Sequence, residues 1–168
     1  MTLMPAIVER LAEITAPWQQ AYSNSSVLPV AVVYVHLAAL LVGGGLALTA
    51  DRGTLRVAHG SPAARGHHLE VLALAHRTVV AALAVVLASG ALLALADVEE
   101  YAASRVFWIK MSLVALLLTN GALMTRTERA LHVDTDDTRL WRRLRANAIA
   151  SGVLWMAVLL AGTTLAVS

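Results

Sequence analysis

From Val27 to Ala50 the chain runs for 24 residues without a formal charge. At about 1.5 Å per residue, a helix of this length crosses the roughly 30 Å hydrocarbon core of a bilayer. The segment therefore reads as a membrane span. Its one ionisable side chain, His36, lies seven residues after Pro29. An ionisable group in hydrocarbon is costly, so it marks a functional position and calls for a partner elsewhere in the chain.

The whole sequence agrees with a bilayer as solvent. Of its 168 residues 58% are hydrophobic and only 14% charged, with a mean hydropathy of +0.69, and soluble domains usually carry about a quarter charged residues. The net charge is only +2, and the arginines flank apolar runs instead of forming one basic face, which argues against nucleic acid as a partner. With no cysteine, the chain has no disulfide framework, no thiolate metal site and no covalently attached c-type haem. Residues 1–26 lack a basic start followed by an apolar run, so no cleavable signal peptide is expected.

Taken in order, residues 1–26 form an N-terminal unit and residues 27–168 a transmembrane domain. Leu3, Ile7, Leu11 and Ile14 recur at helical spacing, which predicts a short amphipathic helix along the interface, ending near Pro17. Trp18 and Tyr22 suit the headgroup level, and a polar linker, 19–26, leads into span one. Ser61 before Pro62 reads as an N-cap with proline in the first turn. The second helix starts there and continues to Ala96, uncharged from Thr78 onward; its membrane depth, and so that of His76, stays open. An acidic turn, 97–105, precedes span three (Val106–Met124), which only Lys110 interrupts. A basic connector, 125–146, leads to span four, Asn147–Val167.

Ten arginines sit on the two connectors, between spans one and two and between spans three and four, whereas Arg10 and Arg105 alone lie on the other side. Positive residues stay cytoplasmic, so both termini face outward. Four antiparallel spans with short connections pack most simply as an up-down bundle. The expected fold class is thus an all-α membrane protein, a four-transmembrane-helix bundle with an interfacial N-terminal helix. Tyr101, Phe107 and Trp108 join Trp18 and Tyr22 in an outer aromatic belt. Small residues at 43–45, 89–90, 121 and 151–152 permit close helix contact, within one chain or in a homo-oligomer.

Counting depth along each span gives two polar layers. Tyr34, His36, Lys110, Met111 and Ser112 form the outer one; His76, Thr119, Asn120, Asn147 and Ser151 form the inner. Asn120, Asn147 and Ser151 are expected to be interhelical hydrogen-bond partners. Lys110, four residues into its span, either snorkels to the headgroups or serves a site. His67 and His68 read as solvated, His59 and His132 as structural, and Met111 as packing or ligand. No serine or carboxylate is matched by depth to a buried histidine, so hydrolase chemistry is not expected. Neutral imidazole is a common iron ligand in helical bundles. Haem b ligated by His36, with His76 as second ligand or as the ligand of an inner haem, is therefore one reading, with Lys110 and Arg77 as propionate partners. Copper bound by His36 and Met111 is another, since imidazole with thioether suits Cu(I). A cofactor-free interaction module is the third.

The run His36-Leu-Ala-Ala-Leu-Leu-Val-Gly-Gly-Gly with Asp51-Arg52 and Leu55-Arg56 resembles a family of small four-helix bacterial integral membrane proteins of unknown function. So do Tyr101-Ala-Ala-Ser-Arg-Val-Phe-Trp-Ile-Lys-Met111 and Ser89-Gly90, and the likeness covers about residues 20–125. More loosely, the chain is similar to copper-resistance protein D and to bacterial di-haem b-type cytochromes, although it lacks paired histidines on facing spans. The resemblance implies a metal or redox role in the bacterial inner membrane and carries over His36, Lys110 and Met111. On this reading the chain passes electrons through haem b, with quinone or a redox protein as partner.

Overall fold

The computed structural model of the protein describes residues 3–58 and 60–167; His59 and the side chain of Leu3 lie outside the described residues. These residues form six helices and no strand: α1 (Leu3–Asn24), α2 (Leu28–Val57), α3 (Pro62–Ala96), α4 (Val98–Ala103), α5 (Arg105–Val133) and α6 (Thr138–Val167). Four of them, α2, α3, α5 and α6, are long and apolar enough to cross a membrane.

Local chemistry sets most helix starts. Ser61 caps α3 by accepting a hydrogen bond from the Ala64 backbone N–H, with Pro62 in the first turn, as its sequence predicts. Asp97 caps α4 and Ser104 caps α5 in the same way, through Glu100 and Phe107. Three boundaries differ from expectation. The segment expected to be an acidic turn contains the helix α4. Helix α1 does not end near Pro17 but carries it inside and continues through the expected linker to Asn24; proline removes only the hydrogen bond to Glu13, and the bond of Trp18 Nε1 to the Leu92 carbonyl (3.0 Å) ties the far side of α1 to α3. Of the connector expected at 125–146, only the short stretch between Val133 and Thr138 is non-helical. Charges end residence in hydrocarbon, yet Arg, Glu and Leu remain good helix formers.

Paired contacts show how the helices run. Along α2 and α3 the pairs are His36 with Ser89, Gly43 with Ala82, and Thr54 with His68. Between α2 and α6 they are Gly43 and Gly44 with Trp155, and Leu48 with Gly152. Asn120 meets Asn147 between α5 and α6, and His76 meets Glu128 between α3 and α5. As numbers rise on one helix they fall on its neighbour. Two apolar cores result. One, of Ala47, Val79, Leu117, Trp155 and Val158, lies midway along the long helices. The other, of Leu69, Leu72, Met124, Leu131, Trp141, Leu144 and Ala148, lies at the connector end. There Arg65 crosses between connectors: it donates to the Ala58 carbonyl at 2.9 Å, sits 5.4 Å from the Trp141 ring, and pairs with Asp136 at 3.7 Å. At the opposite end Trp18 packs on Tyr22, and Phe107 on both Tyr101 and Trp108. Ile7, Leu11 and Ile14 of α1 are exposed, as are Leu41, Leu74 and Leu160 of the long helices.

The glycine run is used unequally. A Cβ on Gly43 would lie 3.0 Å from that of Ala82, and one on Gly44 would lie 3.3 Å from Trp155, whereas Gly45 has nothing within 4 Å. Gly43→Ala is therefore expected to lower stability by about 1–3 kcal/mol through overpacking. Gly45→Ala should leave it unchanged or raise it by up to ~1 kcal/mol. Thermal unfolding of the two variants in detergent, followed by circular dichroism, distinguishes these outcomes.

Candidate functional site

Toward the connector end, polar side chains from all four long helices converge. Helix α2 supplies Asp51 and Thr54, three residues apart and so on one face; they are 5% and 0% exposed. Helix α3 supplies His68 and His76, α5 supplies Glu128 and His132, and α6 supplies Ser151. Glu128, 4% exposed, joins the helices: its Oε2 lies 2.5 Å from His76 Nδ1, and its Oε1 lies 4.0 Å from Nε2 of the half-exposed His132. His76 lies within electrostatic range of Asp51, and Ser151 is a hydrogen-bonding partner of the same carboxylate. The second carboxylate oxygen, Asp51 Oδ2, is buried with no hydrogen-bond partner among the described residues.

His68 belongs to the same assembly. Thr54 Oγ1 donates to the Ala50 carbonyl and therefore accepts from His68 Nε2 at 2.9 Å. The ring lies so close to α2 that a Cβ on Gly53 would come within 2.7 Å of it. The expected solvated His68 is thus corrected to a partly buried one, whereas His67 is exposed as expected.

Near the opposite end stands a smaller polar group. His36, 8% exposed, places Nδ1 2.9 Å from Ser89 Oγ. Ser89 donates its own proton to the Val85 carbonyl at 2.6 Å, so its oxygen accepts from Nδ1–H and leaves His36 Nε2 as the basic nitrogen. Gly90 makes room for the ring: a Cβ there would lie 3.2 Å from it. Lys110 of α5 lies within electrostatic range of His36 and rests beside Gly162 of α6.

The predicted site residues divide accordingly. His36 and Lys110 both lie at this outer end, within electrostatic range of each other. Met111, one residue on, points about 100° further round α5 and so does not share that direction. His76 lies on α3 thirteen residues before Ser89, the partner of His36, which separates the two histidines by roughly 20 Å along the bundle. The two histidines therefore do not meet in this arrangement. Arg77 is exposed, away from His76. No three His, Asp or Glu side chains among the described residues are grouped to hold a metal ion. Asn120 and Asn147 join α5 to α6, through the Asn120 side chain and the Asn147 carbonyl; Tyr34, Ser112 and Thr119 are exposed. The expectation that no serine or carboxylate meets a buried histidine is overturned by Ser89, which meets His36, while Glu128 meets the part-buried His76. Counting depth only along uncharged stretches leaves both Asp51 and Glu128 outside the spans. Their signal was the helical spacing of Asp51 with Thr54 and of Glu128 with His132.

Comparison of the chain with protein-family models, with curated proteins and with solved structures found no match.

Removing one member of a buried hydrogen-bonded pair leaves the other unsatisfied. Glu128→Ala is expected to lower stability by about 3–5 kcal/mol. Glu128→Gln, which keeps an acceptor for His76, should lose less than half of that. Denaturant or thermal unfolding of both variants checks the ordering.

Proposed function

We propose that the chain is a multi-pass protein of the bacterial inner membrane whose cytoplasmic half carries a proton relay ending at Asp51. The observation that carries this reading is the pair of buried carboxylates, Glu128 between His132 and His76 and Asp51 within electrostatic range of His76, with one Asp51 oxygen lacking a partner among the described residues. Ionisable residues held inside a membrane bundle are typical of proton relays. The arginine-rich connectors support a cytoplasmic position for this end by the positive-inside rule; on this reading the spans run up and down, both termini face outward, and α1 lies along the outer interface.

The chemistry follows from the geometry. His132 is the solvent-facing mouth. Glu128 presents one oxygen to His132 and the other to His76, so a proton received on one side can leave on the other. From His76 the relay continues to Asp51, within its electrostatic range. A proton on Asp51 removes a charge from an apolar surrounding and gives Oδ2 a hydrogen to donate. Beyond Asp51 the apolar layer of Trp155, Gly43 and Gly44 separates the relay from His36.

The test is proton uptake after rapid acidification of the reconstituted protein, read with a pH indicator. Wild type should take up one more proton than Asp51→Asn. Glu128→Gln should keep that proton but take it up about 10²-fold more slowly, the usual scale for a lost acid–base group. An equal proton count in Asp51→Asn, or an unchanged rate in Glu128→Gln, would sink the proposal.

A second reading is favoured by one specific observation at the outer group. With Nδ1 held by Ser89, His36 presents Nε2 as metal-ligating imidazoles do. This supports haem b at His36 with Lys110 as propionate partner, and quinone or a redox protein as electron partner. When bound, haem would supply one-electron chemistry. Copper is the alternative occupant. Protein made with ample haem should show a Soret band that His36→Ala abolishes and Ser89→Ala weakens by lowering affinity about 10–100-fold; colourless protein ends the haem reading.

A further inference from the structure

A cleft of about 740 Å³ opens at the end of the bundle opposite the arginine-rich connectors. That volume lies within the range of small-molecule sites. The last turn of α1, the start of α2, the ends of α3 and α6, and α4 all contribute to it. Its apolar lining includes Leu93 and Leu165, and its polar lining includes Tyr22, Tyr101, Asp97 and Glu100. No lysine or arginine lines it. Asp97 uses one oxygen to cap α4. Neither Asp97 nor Glu100 is paired with a cation among the described residues. Burial, with Tyr22, Glu100 and Asp97 close by, pushes the Tyr101 phenol above its usual range, so the ring stays neutral beside the carboxylates.

Two uncompensated carboxylates repel an anion. Two phenol rings offer negative faces to a cation. An apolar lining at the membrane end accepts a hydrocarbon body. From the juxtaposition of these features we infer that the cleft is a binding site for an amphipathic organic cation, with its charge between the tyrosines and carboxylates and its apolar part against Leu93 and Leu165. The site is separate from the relay, and each stands or falls alone.

The quaternary ammonium chemistry could be offered by a choline lipid headgroup or by a free amphiphile, and the experiment separates the two. Tetraphenylphosphonium binding to the full chain in phosphatidylethanolamine nanodiscs is measured by equilibrium dialysis, with empty nanodiscs subtracted. Tetraphenylborate, of the same shape and opposite charge, is run in parallel. The expected result is saturable binding of the phosphonium at one per chain and none of the borate. Affinity should fall at least tenfold in Asp97→Asn with Glu100→Gln, where asparagine still caps α4, and in Tyr22→Leu with Tyr101→Leu. Glu100→Gln alone changes one exposed side chain and keeps the test sound should a double variant misfold; it should weaken binding at least threefold. In phosphatidylcholine nanodiscs, weaker phosphonium binding would support the cleft as a headgroup site, and unchanged binding would support it as a site for a free cation. Equal binding of the borate, no saturable binding, or wild-type affinity in the folded variants would overturn the inference.

Discussion

The contact between His76 and Glu128 is the constraint on which the inner half of this protein depends. Helices α3 and α5 are not neighbours in sequence, and their meeting point is polar. A carboxylate that is 4% exposed has lost most of its hydration, and its oxygens must find donors in the protein. The His76 ring is the donor within reach, and it holds that position because α3 packs along α2 through Gly43, Ala82 and the Thr54–His68 bond. The close approaches of Ala82 to Gly43 and of the His68 ring to Gly53 thus set how α3 lies along α2. Small residues on α2 set the distances, and the ionisable groups occupy the space those distances define.

How much of this the sequence reveals depends on which physical rule governs each part. Long uncharged runs must lie in hydrocarbon, so four apolar helices were legible directly. So was the start of α3, where serine followed by proline has one favourable use. The ends of the helices were hidden because charge reports where hydrocarbon stops and not where backbone hydrogen bonding stops. Arg126, Glu128 and Arg129 look like a connector by charge and are the last turns of α5. The same confusion concealed Asp51 and Glu128. His36 and Lys110, lone ionisable groups inside apolar runs, stood out, and they lie within electrostatic range of each other. Ser89 read as a small packing residue, since nothing local in its sequence announces a partner 53 positions away.

The arrangement also separates two kinds of polar chemistry along one bundle. At the inner end Glu128 meets His76 and stands near His132, so ionisable groups adjoin one another. At the outer end His36 is fixed by neutral groups, Ser89 and the backbone behind it, with a lysine near. Between them Trp155 packs against the paired glycines of α2, within an apolar core. The two ends can therefore differ in charge state without a direct hydrogen-bonded route between them.

Contacts are broad between α2 and α3 and again between α5 and α6, and narrow between α3 and α5. The protein is in that sense two hairpins docked side by side. Each hairpin can insert into a bilayer with its apolar surface facing lipid, but Glu128 and Asp51 then lack the partners that only the other hairpin provides. Assembly of the second hairpin onto the first is what relieves those exposed polar groups. A ribosome delivering this chain would thus leave it with an unsatisfied first hairpin until the last helix is complete, and quality-control proteases that sense polar atoms in lipid would have that interval in which to act.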